Sequence, residues 1–74
     1  MSKEDVGTNA GIIWHLLSEK GELDIRKIGE FTSLGGSAII LSLGWLARED
    51  KIKFSNKNGT LYFSLLSVPS EMFY

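Results

Sequence analysis

An α+β chain, with helices first and a small sheet closing the fold, is predicted by three observations. Apolar residues recur at helical spacing over "DVGTNAGIIWHLLSEK". A turn, "TSLGGS", separates two further helical runs. After Asp50 the sequence alternates and breaks at Asn58-Gly59, the strongest short hairpin signal available. Helix, short strand, helix, turn, helix and two-stranded hairpin is the element order of a winged helix-turn-helix.

Each element has its own local reason. The first helix runs from about Asp5 to Lys20: Val6, Ala10, Ile13 and Leu17 form the apolar stripe, Trp14 and Leu16 widen it, and Thr8, Gly11, His15 and Ser18 fall opposite. Gly21 supplies a left-handed C-terminal position, and Glu22-Leu23-Asp24 reads as a short extended piece. Asp24 is a good N-cap for a second helix from Ile25 to about Phe31, with Ile25, Ile28 and Phe31 inward. Ser37 is expected to cap the third helix, which ends near Glu49-Asp50. Ile52 and Phe54 belong to the first strand of the hairpin. On the second strand, either Leu61, Phe63 and Leu65 or the alternate set beginning at Tyr62 faces inward. Lys57 is expected to point outward beside the Asn58-Gly59 turn. The tail "SVPSEMFY" has no period of its own, although its apolar residues suggest docking. One domain therefore spans 1–74, with its core at about 5–66 and a tail at 67–74.

"NAGIIWHLLSEKGELDI", followed by "ILSLGWLAREDKIKF" and a hairpin, resembles the small stand-alone winged helix-turn-helix proteins of bacteria, a family of unknown function. The likeness covers roughly Val6 to Leu65. "LGWLAREDKI" is its most specific part, because a Gly-Trp pair inside the third helix is unusual among winged helices. The resemblance implies the fold and a DNA-binding ancestry; it carries no activity and no catalytic residues.

Composition narrows the function classes. A chain of 74 residues buries only about 60% of its unfolded surface and draws ~3–5 kcal/mol from one core. It has no cysteine, so neither a disulfide framework nor a thiolate zinc site is available. The start "MSKEDVGTNAG" is polar and acidic, and no apolar run approaches the ~18 residues of a membrane span, so a soluble cytoplasmic protein is expected. Eight Lys and Arg against nine Asp and Glu give a net charge of −1, without a basic block. His15 is the single histidine, and "GTNAG" and "LGGS" lack the lysine and preceding buried strand of a phosphate-binding loop. No catalytic residues, metal site or cofactor is expected.

The third helix poses the functional question. At 100° per residue, Ile39, Leu43 and Leu46 form one stripe and must face the other helices. The opposite side carries Ile40, Leu41, Gly44, Trp45 and Arg48, where a groove-reading helix would carry Arg, Lys, Asn, Gln or Ser. Three apolar side chains left bare there would rival the stability of the whole domain, at ~1.5–3 kcal/mol each. They call for a cover: Trp45 sliding under the hairpin with the tail over Leu41, or a second protein. Gly44 inside the helix points to close packing against a backbone or ring. The main expectation is a non-enzymatic module working by protein contact through Ile40, Leu41, Gly44, Trp45 and Arg48, in its simplest form a homodimer. The alternative is a DNA-binding transcriptional regulator touching phosphates through the wing and second helix, with Arg26, Lys27, Ser37, Lys53, Lys57 and Asn58 as its contacts.

Overall fold

A computed structural model describes residues 2–66. The docking expected of the tail concerns residues 67–74 and lies outside the described residues. The elements are α1 (Lys3–Lys20), β1 (Leu23–Asp24), α2 (Ile25–Thr32), α3 (Gly36–Arg48), β2 (Ile52–Lys57) and β3 (Thr60–Leu65). They form an α+β winged helix-turn-helix: α2 and α3 meet at 111°, and β1, β3 and β2 pair in that order into one antiparallel sheet. No single helix among the described residues is long and apolar enough to cross a membrane.

α1 begins at Lys3 rather than about Asp5, because Ser2 and Asp5 make a reciprocal capping box. The Asp5 N–H donates to the Ser2 hydroxyl at 3.2 Å, and the Ser2 N–H donates to the Asp5 carboxylate at 3.1 Å. The bond from the Ser2 N–H is the main reason the Asp5 carboxyl sits below its ordinary range. At the other end Gly21, at φ 83° and ψ −130°, breaks the helix while its N–H reaches the Leu17 carbonyl. Its φ is positive as expected, but its ψ lies outside the left-handed helical well. Asp24 caps α2 by accepting from the Lys27 N–H at 2.8 Å.

Two expectations for the turn region are corrected. Ser37 does not cap α3: Ser33 at φ 61° turns the chain early, so Gly35 becomes the N-cap, its carbonyl accepting from Ile39, and Ser37 lies exposed within the first turn. The Thr32 hydroxyl helps to fix this bend, donating to the Ile28 carbonyl at 2.7 Å and accepting from the Leu34 N–H at 3.2 Å. Phe31 is not inward but 52% exposed. α2 is short and buries fully only Ile28; one turn on, Phe31 emerges at the rim, where the Lys20 ammonium lies 4.9 Å from its ring centre.

The hairpin turns where the sequence places it. Asn58 at φ 55° and Gly59 at φ 87° give the two positive-φ central positions of a type I′ turn, and the Asn56 side chain accepts from the Gly59 N–H at 3.0 Å. Register pairs Ile52 with Leu65, Phe54 with Phe63, and Lys57 with Thr60, while Leu23 of β1 sits opposite Phe63. Of the two strand sets left open, that of Leu61, Phe63 and Leu65 shares the core face. Phe63, Leu65 and Ile52 are buried; Leu61 lies nearer the tip and stays exposed, and Phe54, level with Phe63, is exposed on the edge strand β2. Phe54 still touches the core through an edge-on contact with Phe63, centroids 5.8 Å apart.

The core joins Ala10, Ile13 and Leu17 of α1, Ile28 of α2, Ile39, Leu43 and Leu46 of α3, and the three buried hairpin residues. Trp14, Leu16, Ile25 and Trp45 pack at its margin. α3 also buries Ala38 and Ser42, one helical turn apart; their small size suits a helix packed closely on its neighbours. The Ser42 hydroxyl is fully buried and has no hydrogen-bond partner among the described residues.

Candidate functional site

The outer face of α3 is where a helix-turn-helix meets its target, and it is apolar. Ile40 is 55% and Leu41 50% exposed, and with Gly36 and Ser37 they line a shallow depression of about 490 Å³. Gly44 and Arg48 continue this face toward the helix end, both exposed. A Cβ at Gly44 would meet nothing within 4 Å, so the close packing expected there is not supplied by the described residues. Trp45 departs from its expected companions. It is half-buried at the edge of this face, packed against the core, and lines a cleft together with α1 residues.

The candidate phosphate contacts fall into two exposed clusters. At the start of α2, Arg26 and Lys27 both approach Glu30, at 3.7 and 3.8 Å. On the wing, Lys53 and Lys57 alternate along one face of β2, and Asn58 stands at the turn. Lys57 is exposed as expected but leans back, pairing with Glu22 just before β1, and its ammonium lies 5.3 Å from the centre of the Tyr62 ring. Ser55 adds a second bond to Glu22 at 3.2 Å. The Lys57 hydrogen bond, with smaller help from Ser55 and the Lys53 charge, holds the Glu22 carboxyl below its ordinary range; the same bond lifts Lys57. These are solvent-exposed pairs, which are weak and exchange readily for other anions.

A third feature escaped the sequence reading. Between α1 and the second half of α3 runs a cleft of about 440 Å³, lined by Gly7, Gly11, Trp14 and His15 from one side and by Trp45 and Leu46 from the other, with Glu49 and Lys51 beyond the helix end. His15 is exposed as expected and stands edge-on to Trp14, centroids 5.3 Å apart and planes at 88°. The signal available in the sequence was the pair Gly7 and Gly11, one turn apart inside a helix, which propensity alone disfavours. Among the described residues no three His, Cys, Asp or Glu side chains cluster as metal ligands.

Comparison with known proteins agrees with this architecture. The model of the family described as "Winged helix-turn-helix domain (DUF2582)" matches residues 1–65. Uncharacterized protein MJ1608 of the archaeon Methanocaldococcus jannaschii is 43% identical over 49 residues, covering 64% of this chain and 70% of that one. The solution NMR structure of protein BT2368 from Bacteroides thetaiotaomicron superposes with a TM-score of 0.80 at 37% identity, over 88% of this chain and 79% of that one. HlyU from Vibrio cholerae superposes with a TM-score of 0.71 over 90% of this chain and 83% of its own; at 23% identity that likeness speaks for the fold alone.

Proposed function

The chain belongs to the winged helix-turn-helix domain family DUF2582, and from that premise we propose that it is a DNA-binding regulator docking through the start of α2 and the wing. The observation that carries this reading is the placement of Arg26, Lys27, Lys53, Lys57 and Asn58. All are exposed, and they occupy the two elements that flank α3 in a helix-turn-helix with a wing. Their pairing with Glu30 and Glu22 is of the exposed kind that phosphate displaces. α3 then enters the groove with an unusual surface. Ser37 is its hydrogen-bonding residue near the helix start, Ile40 and Leu41 meet thymine methyl groups, and Arg48 reaches the backbone. Such a contact is strongly salt-dependent, prefers T-rich duplexes and discriminates little by hydrogen bonds.

Fluorescence anisotropy with T-rich and G·C-rich duplexes over a salt series tests it. Five cationic contacts to phosphate, from Arg26, Lys27, Arg48, Lys53 and Lys57, give a slope of about −4.5 in log affinity against log salt, and Lys53→Ala with Lys57→Ala flattens that slope by about 2. Absence of any complex at low salt sinks the reading.

The exposure of Ile40 and Leu41 favours a second reading, in which two copies pack α3 against α3 across a two-fold axis, with Trp45 at the margin. A covered α3 cannot occupy a groove, so the two readings exclude each other at this face. Leu41→Lys separates them. It abolishes self-association in sedimentation if the apolar face is a dimer interface; if that face meets DNA, the added cation strengthens binding and steepens the salt dependence.

A further inference from the structure

We propose that the cleft between α1 and the second half of α3 binds a small aromatic zwitterion of the amino-acid class. Its volume, about 440 Å³, lies within the ~300–1,000 Å³ range of small-molecule clefts. Both tryptophans of the chain line it, half-buried, and indole rings favour stacked or edge-on contact with a flat aromatic group. The His15 imidazole stands edge-on to Trp14 and adds a hydrogen-bonding group to the same wall.

Gly7 and Gly11 keep the cleft open. A Cβ at either position meets nothing within 4 Å, so no neighbour among the described residues requires a glycine there, although glycine disfavours the helix. The room they leave is part of the cleft itself. At the rim stand Glu49 and Lys51, on either side of Asp50, which turns the chain at φ 58°. Both are exposed, and neither belongs to an ion pair among the described residues. One carboxylate and one ammonium at the mouth of an aromatic cleft complement a ligand that carries one charge of each sign. A polyanion such as a nucleotide meets one cation and one repelling carboxylate, which selects against it. The proposal is independent of the DNA-binding reading of α3 and shares only Trp45 with the two-copy reading, which puts that residue at the margin of its interface.

Because every tryptophan lies in the cleft, intrinsic emission reports its occupancy directly. The full chain is titrated with phenylalanine, which lacks an indole, and with benzoate and benzylamine, which each carry one of its two charges. The expected result is a saturable change in tryptophan emission with phenylalanine, and affinities about two- to fivefold weaker for the singly charged analogues, since each loses one solvent-exposed charge contact. Gly11→Leu fills the cleft from α1 and is expected to abolish the response while circular dichroism shows a melting temperature unchanged or raised. Glu49→Gln with Lys51→Gln, at the exposed rim, is expected to bring phenylalanine below the affinity that either singly charged analogue has for the wild-type chain, because both charge contacts are lost. A wild-type chain without a saturable response overturns the proposal, as does equal binding of all three compounds or an unchanged response in a folded Gly11→Leu protein. Emission that shifts with protein concentration in the Leu41→Lys chain, whose α3 face no longer self-associates, also overturns it, because a second copy then occupies the cleft.

Discussion

On its inner face α3 buries Ala38, Ile39, Ser42, Leu43 and Leu46; on its outer face it leaves Ser37, Ile40, Leu41, Gly44 and Arg48 to solvent. Each face has a serine, a small residue and at least two branched aliphatics, so composition does not tell them apart. Angular position does. The inner residues point at α1, α2 and the sheet, where their neighbours are already apolar, and the outer ones point where a helix-turn-helix presents its surface. Among the described residues, α3 thus carries more apolar surface than the fold buries.

The sharpest way to break the comparison is to make the same deletion on both faces. Leu43→Ala is expected to cost about 2–5 kcal/mol, enough to unfold a domain held by roughly 3–5 kcal/mol. Leu41→Ala is expected to change monomer stability by about 0.5 kcal/mol or less. Urea denaturation followed by circular dichroism at low protein concentration measures both. A Leu41→Ala protein that unfolds as readily as Leu43→Ala would mean that the outer face is covered.

Ser42 sharpens the contrast from the other side, as the polar residue among the buried ones. Its hydroxyl is desolvated without a partner among the described residues, so Ser42→Ala is expected to stabilise by about 1 kcal/mol, with the urea midpoint rising at unchanged slope. A fall in the midpoint would show that the hydroxyl is hydrogen-bonded after all. Gly44→Ala on the outer face should stabilise by up to about 1 kcal/mol through helix propensity, because its Cβ has open space before it. Destabilisation by that one methyl, growing with protein concentration, would reveal a second chain packed against the glycine.

How much of this was legible in the sequence depends on whether a residue's fate is local. Asp24 as a cap, Asn58-Gly59 as a turn and the stripe of Ile39, Leu43 and Leu46 follow from chemistry within a few residues, and the structure has them as read. The start of α3 did not follow, because Ser33 and Thr32 bend the chain through a backbone conformation that the string "TSLGGS" permits without specifying. Phe31, Phe54 and Leu61 carry the right periodicity, but Phe31 and Leu61 lie where their elements extend past the core, and Phe54 stands on the edge strand opposite buried Phe63. Trp45 lies between the two faces of α3, half-buried, and periodicity alone does not say how much of its ring the core covers. The phosphate-contact candidates were legible by position on α2 and the wing, whereas their acidic partners were not, since Glu22 lies 35 residues from Lys57.

The smallest effect concerns that distant pair, which ties the wing to the segment before β1. The Glu22 carboxyl is depressed chiefly by its hydrogen bond from Lys57. Its contribution to stability is therefore complete above its ordinary value of 4.5 and is lost as pH falls through its lower folded-state value. Lys57 is raised by the same bond, so its share is complete below its ordinary 10.5 and is lost as pH rises through its higher folded-state value. The pair accordingly contributes a constant amount across the neutral range. Glu22→Gln is expected to lower stability slightly and evenly there, and the wild-type and variant curves should converge on the acid side. Asp5 titrates in the same acid region, but its capping box is common to both proteins and cancels in the difference. The same substitution releases Lys57 on the wing. If the wing meets phosphate, Glu22→Gln strengthens DNA binding while it weakens the fold, and a variant that loses both would mean that Lys57 serves the sheet and not the nucleic acid.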